Sequence, residues 1–217
     1  MMRRPHGFTL IELLVAIAVM SLLAIMSWRG LDGMARAQAQ NRERADAVLT
    51  LQTALTQWGA DLDATVALSR ISAIDWDGRV LRMTRRSTDG DTPRIYVVAW
   101  ALLTDPATGT RWRRWQSPGF TTQPEWQQAW DRAAAWAQGS STDAGDAQVD
   151  LLPLAEWHVY YFRNDAWSPA VSAEALGTPP LPDGVRLVIG IPSGAGLSGT
   201  ISRDWVRPSV TVPKSSS

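Results

Sequence analysis

The chain has 217 residues, with 21 basic and 21 acidic side chains balancing to a formal charge of zero. Nothing in that balance points to a nucleic-acid partner. There is no cysteine, so the fold must rely on packing without disulfides, and the compartment is not legible from thiol content.

The first seven residues, MMRRPHG, are basic. They lead into FTLIELLVAIAVMSLLAIMSW, residues 8–28, whose only charge is Glu12. As a helix this run is about 32 Å long, enough for a hydrocarbon core of about 30 Å. Thr9, Ser21 and Ser27 are its only other polar residues and make no polar stripe, so the run reads as a membrane span. A cleaved secretory signal has a shorter apolar region and a small-residue cleavage site; here the run ends Ser27-Trp28-Arg29. Arg3, Arg4 and the starting amine outweigh Arg29 and Arg36, with Asp32 between them, which favours a cytoplasmic N-terminus. Glu12 is costly in lipid. Physics alone leaves two readings open: a helix-start carboxylate reaching the headgroups, or a group awaiting a partner.

Gly7-Phe8-Thr9-Leu10-Ile11-Glu12 resembles the type IV prepilin signature: a short basic leader ending in glycine, then Phe-Thr-Leu-Ile-Glu and an apolar helix. The resemblance covers about the first 28 residues. It implies that a membrane prepilin peptidase cuts between Gly7 and Phe8 and methylates the new amine of Phe8. It also implies a partner for Glu12. In an assembly, the carboxylate of one subunit meets the Phe8 amine of another, and such a buried pair sets register more than it adds stability.

Beyond the span the helix is expected to continue over residues 29–66. Gly30 and Gly33 mark either a soft joint or a site of close helix packing. Residues 36–46 are polar all round, whereas Val48, Leu51, Leu55, Trp58 and Leu62 form one apolar face suited to packing on a sheet. From residue 70 the period changes. Strands are expected at 79–85, 95–103, 111–116, 156–162, 185–191 and 200–206, with a short helix at 124–138. Turns are read at Asp75-Trp76-Asp77-Gly78, residues 88–91, residues 105–109 and residues 179–184. Residues 139–148 read as a loop and 212–217 as a disordered tail. The expected division is therefore leader 1–7, membrane helix 8–28, helical continuation 29–66, a β-rich domain 67–211 and the tail.

A long N-terminal helix, its first half in the membrane and its second half on antiparallel sheet, gives an α+β, pilin-like fold. Trp28-Arg29-Gly30-Leu31-Asp32 and Leu181-Pro182-Asp183-Gly184-Val185-Arg186-Leu187 resemble the J-type minor pseudopilins of type II secretion. That likeness implies a non-enzymatic inner-membrane subunit with a periplasmic domain, working with I-type and K-type minor pseudopilins at the pseudopilus tip and touching secreted cargo. A minor pilin of a type IV pilus is the alternative within the class. A membrane-tethered binding module or enzyme is the alternative outside it.

Other chemistry is thinly represented. Gly194-Ala195-Gly196-Leu197-Ser198-Gly199 fits G-x-G-x-x-G, but strand-like sequence follows where a dinucleotide site needs a helix. His6 and His158 are too few and too distant for a transition-metal site. Asp75/Asp77 and Asp89/Asp91 lack calcium-loop spacing and read as turns. No catalytic, cofactor or metal residues are assigned. Twelve tryptophans are unusual. Trp112, Trp115, Trp126, Trp130 and Trp136 either fill the core or form an exposed stacking surface.

Overall fold

The structure, a computed structural model, describes residues 8–87, 94–139, 148–172, 180–194 and 196–208. The chain divides into two units, the first ending at Ala45 and the second starting at Asp46. Helix α1 (Leu10–Asp63) contributes to both.

In the first unit α1 runs unbroken through Gly30 and Gly33. A Cβ built at either would meet nothing within 4 Å, so close packing on these glycines would have to come from another chain. Every residue from Phe8 to Ala45 is exposed.

In the second unit α1 ends at Asp63, short of the expected residue 66. Thr65 instead forms a bridge with Arg85. There follow β1 (Ile74–Trp76), β2 (Val80–Ser87), β3 (Arg94–Asp105), β4 (Gly109–Gln116), α2 (Gln123–Ala137), β5 (Gln148–Pro153), β6 (Glu156–Arg163), β7 (Ala166–Pro169), β8 (Gly184–Ile191) and β9 (Gly199–Val206). The first five strands form a sheet in chain order, and the second sheet has the order β7-β6-β8-β9. All pairings are antiparallel.

Strand alternation explains the layering. Leu81, Met83, Val98, Trp100 and Trp112 point from the first sheet to a core shared with Leu51, Ala54, Trp58 and Leu62 of α1 and with Val159, Leu187 and Ile189 of the second sheet. Val80, Val97, Ala99, Ala101 and Trp115 point the other way, onto Trp126, Ala129, Trp130, Ala133 and Trp136 of α2. Helix α2 begins with a capping box between Thr122 and Glu125. The Thr121 and Thr122 groups hold the Glu125 carboxyl below its usual range.

Three strands differ from the sequence expectation. Residues 75–78 were read as one turn, but Asp75 and Trp76 belong to β1, and the turn is carried by Asp77, which accepts from the N–H groups of Arg79 and Val80, both at 2.9 Å. An acid in a buried strand is tolerable here because the Arg82 guanidinium lies 2.6 Å from Asp75. The other two, β5 and β7, were not expected. β7 is short and pairs through a hairpin whose Asn164 and Asp165 both have positive φ, 50° and 59°. The expected turn at 88–91, most of the loop at 139–148 and the tail at 212–217 lie outside the described residues.

Each sheet margin is blunted against further pairing. β1 has 3 residues and β7 has 4, with Pro169 at its end. β5 pairs through a register shift and ends in Pro153. On β9, Arg203 stands between Ile201 and Trp205 on the core-side face yet is exposed.

In its last turn α1 adds a polar tie to the first sheet. Asp61 is fully buried and accepts from Arg85 Nη1 (2.7 Å), Arg114 Nε (2.7 Å) and Nη2 (2.9 Å), Trp100 Nε1 (2.9 Å) and Gln57 Nε2 (2.9 Å). Asp61→Ala leaves two guanidinium groups facing a hole, and is expected to lower stability by about 3–5 kcal/mol. Urea unfolding followed by tryptophan fluorescence measures this; a loss below about 1 kcal/mol would contradict it.

Candidate functional site

The signature residues sit at the start of α1. Gly7 lies outside the described residues, and Phe8 and Thr9 precede the helix. Thr9 acts as the N-cap, a role the sequence reading missed although the Thr-x-x-Glu pattern signals it. Glu12 Oε2 accepts from the Thr9 backbone N–H at 3.0 Å and from Thr9 Oγ1 at 2.9 Å. The Glu12 N–H points back to Thr9 Oγ1 at 3.4 Å. In the single chain the carboxylate is thus held by its own helix end. Behind it the helix exposes Leu13, Leu14, Val15, Ile17, Val19, Leu22, Leu23 and Ile25. Apolar residues on all sides suit lipid or other apolar helices rather than water. This helix is long and apolar enough to cross a membrane.

No second centre competes with it among the described residues. The five tryptophans offered as a stacking surface are all buried: Trp112 with Trp58 and Trp100, Trp115 on Trp136, and Trp126 on Trp130. Of the two readings of these tryptophans, the core-filling one holds, and both cores of this domain are filled with large aromatic side chains. Gly194, Gly196 and Gly199 have positive φ in the β8–β9 connection, and strand follows rather than helix. His158 is exposed on β6, with its Nε2 3.5 Å from Glu156. No group of three metal-binding side chains occurs among the described residues. A cleft of about 730 Å³ is lined by Arg79, Asp105, Arg113, Trp136 and Glu156. Several of its polar groups are engaged locally: Arg113 with Asp150 at 2.6 Å, Asp105 with the N–H groups of Ala107 and Thr108, Trp136 with Gln148. The Ala107 and Thr108 bonds hold the Asp105 carboxyl below its usual range.

On the outer face of the second sheet, Arg186 grips Asp204 at 2.7 Å through both Nε and Nη2 and lies 4.3 Å from the Trp167 ring. The Arg186 bond depresses the Asp204 carboxyl. Burial raises the Tyr161 hydroxyl, which therefore stays protonated in the folded chain.

Comparison with known proteins agrees with the geometry. Residues 2–28 match the model of the prokaryotic N-terminal methylation motif. Type II secretion system protein J of Vibrio cholerae is 25% identical over 197 residues, covering 84% of this chain and 80% of that protein. The chain is a type II pseudopilin, most like the J type. Type II secretion system protein J of Klebsiella pneumoniae is 32% identical over 66 residues, 30% of this chain and 33% of that protein. The pseudopilin is related to structural proteins, carries one apolar N-terminal helix among the described residues that suits an inner-membrane anchor, and belongs in a pseudopilus with others of its kind.

The capping geometry makes a prediction for the pseudopilin. Thr9→Val removes the hydroxyl that both gives to Glu12 and receives from its N–H, and should weaken the first turn by about 1 kcal/mol. Hydrogen exchange in micelles should then accelerate about fivefold at the Glu12 and Leu13 amides and remain unchanged past Ala24. Unchanged exchange at Glu12 would contradict the cap.

Proposed function

We propose that this pseudopilin is a structural minor subunit of a type II protein secretion system that helps to initiate or cap the tip of the periplasmic pseudopilus. The prepilin peptidase removes residues 1–7 by cutting Gly7–Phe8 and methylates the Phe8 amine. Residues 8–28 anchor the subunit in the inner membrane with the N-terminus cytoplasmic, and the β-rich domain lies in the periplasm. Its partners are the I-type and K-type minor pseudopilins and the pseudopilus itself, with secreted cargo met at the tip.

The observation that carries this reading is Glu12. It is the single charge in residues 8–28, an otherwise apolar stretch of α1 that buries nothing within its own chain. A carboxylate there costs insertion energy, about 2.5–3.5 kcal/mol at a helix centre and less near an end. Among the described residues it is met by Thr9. The Phe8 amine exposed by cleavage supplies the complementary charge on a neighbouring subunit. Exchange of Thr9 for that amine aligns subunits in register, and the resemblance of residues beyond the helix to the J-type proteins supports the tip as the place of action.

Mass spectrometry of the membrane-extracted protein should find N-methyl-phenylalanine at position 8; an intact Met1 or a cut near Ser27 would remove the basis of the reading. Glu12→Ala is expected to insert and fold normally and to impair assembly and secretion, whereas normal secretion would sink the register role. A chain starting at Arg36 should fold and bind the I-type and K-type proteins in analytical ultracentrifugation, burying at least about 1,000 Å². Absence of association at concentrations on the order of tens of micromolar, together with saturable binding of a nucleotide or oligosaccharide, would favour a binding module or enzyme instead.

A further inference from the structure

The end of α1 carries a second carboxylate set into an apolar face, and its partners are distributed in an unusual way. Asp61 reaches β2 through Arg85, β3 through Trp100 and β4 through Arg114. These are three adjacent strands of one sheet. Two residues on, Asp63 accepts from Trp205 Nε1 of β9 at 2.7 Å, which belongs to the other sheet. Beneath them, Leu51, Ala54, Trp58 and Leu62 bury apolar surface. Apolar burial is strong but non-directional. The directional bonds between the helix and the sheets are concentrated in its last turn.

We propose that this last turn is a mechanical clasp, in which Asp61 and Asp63 deliver force carried along α1 to both sheets at once. The geometry supports it in three ways. The Asp61 bonds are charge-assisted and the Arg114 contact is two-pronged, which makes them the strong members of their class. Asp61 is buried, so salt and water screen it little. Finally, the strands it grips are already laddered to one another over the full length of β2 and the facing part of β3 and β4. A pull on α1 therefore strains the bonds together rather than in succession, and no single strand can yield alone.

The source of such force rests on the proposed role: a subunit drawn from the membrane into a growing assembly is moved by its helix. The clasp itself is testable without any assembly. Because the natural sequence lacks cysteine, pairs of cysteines give unique handles for optical tweezers on the full chain in micelles. Ala45→Cys with Ser202→Cys pulls α1 against the sheets. Asn164→Cys with Ser193→Cys pulls within the second sheet, with neither handle on α1. Forced unfolding follows the unfolding barrier rather than overall stability. Asp61→Asn should therefore raise the unfolding rate at a set force by about tenfold more on the first pair than on the second.

An equal factor on both pairs would reduce Asp61 to a general stabiliser and overturn the clasp. Should Asp61→Asn not fold, Asp63→Asn and Trp205→Phe, both at the milder tie, should show the same directional bias; equal factors there overturn the proposal too. A chain that keeps the bias yet fails to bind its partners would lose the proposed function and retain the clasp.

Discussion

A carboxylate with no access to water determines how this domain is put together. Asp61 is buried in a low-dielectric core, where a lone charge would be untenable, and everything around it answers that constraint. Arg85 and Arg114 must come from the face of the sheet that meets α1, which fixes the parity of β2 and β4. Trp100 must turn its indole N–H toward the helix, which places its ring against both Trp58 and Trp112. The tryptophan cluster and the ion cluster are therefore one arrangement: the rings exclude the water that would otherwise compete for the carboxylate, and the carboxylate holds the rings in orientation.

Two acids of α1, Glu12 and Asp61, solve the same problem in different solvents. Each interrupts an apolar surface, each is costly alone, and each is satisfied by donors close at hand. Asp61 finds a complete set inside its own domain. Among the described residues Glu12 finds the cap at Thr9, the partner proposed to be exchanged in an assembly. The difference between a finished site and an unfinished one separates the part of the helix that serves the fold from the part proposed to serve association.

Much of the architecture was legible because its signals are local. The apolar face from Leu51 to Leu62 and the alternation along β8 announce their burial directly, and the six expected strands are present with their ends moved by one or two residues. What escaped needed knowledge of partners across the chain. β1 was mistaken for a turn because Asp75 looks like a turn residue until Arg82 is known to face it. Asp61 went unnoticed, although an acid three residues after Trp58, on the apolar face, was the same kind of anomaly that drew attention to Glu12. The tryptophans were ambiguous because ring count says nothing about exposure, and α2 covers a sheet face that no periodicity assigns to it. The leader signature was the most informative stretch for function, yet Thr9 was passed over within it.

The blunted margins of the two sheets bear on how the protein is stored rather than how it works. In the proposed role, subunits anchored in one membrane lie beside copies of themselves. Exposed strands in that setting invite templated growth into insoluble deposits. Here one margin is too short, another ends in proline, a third is out of step with its neighbour, and the fourth places the Arg203 charge where a newcomer would need an apolar residue. Such domains can stay dispersed at high local density, leaving α1 to make the associations proposed for it.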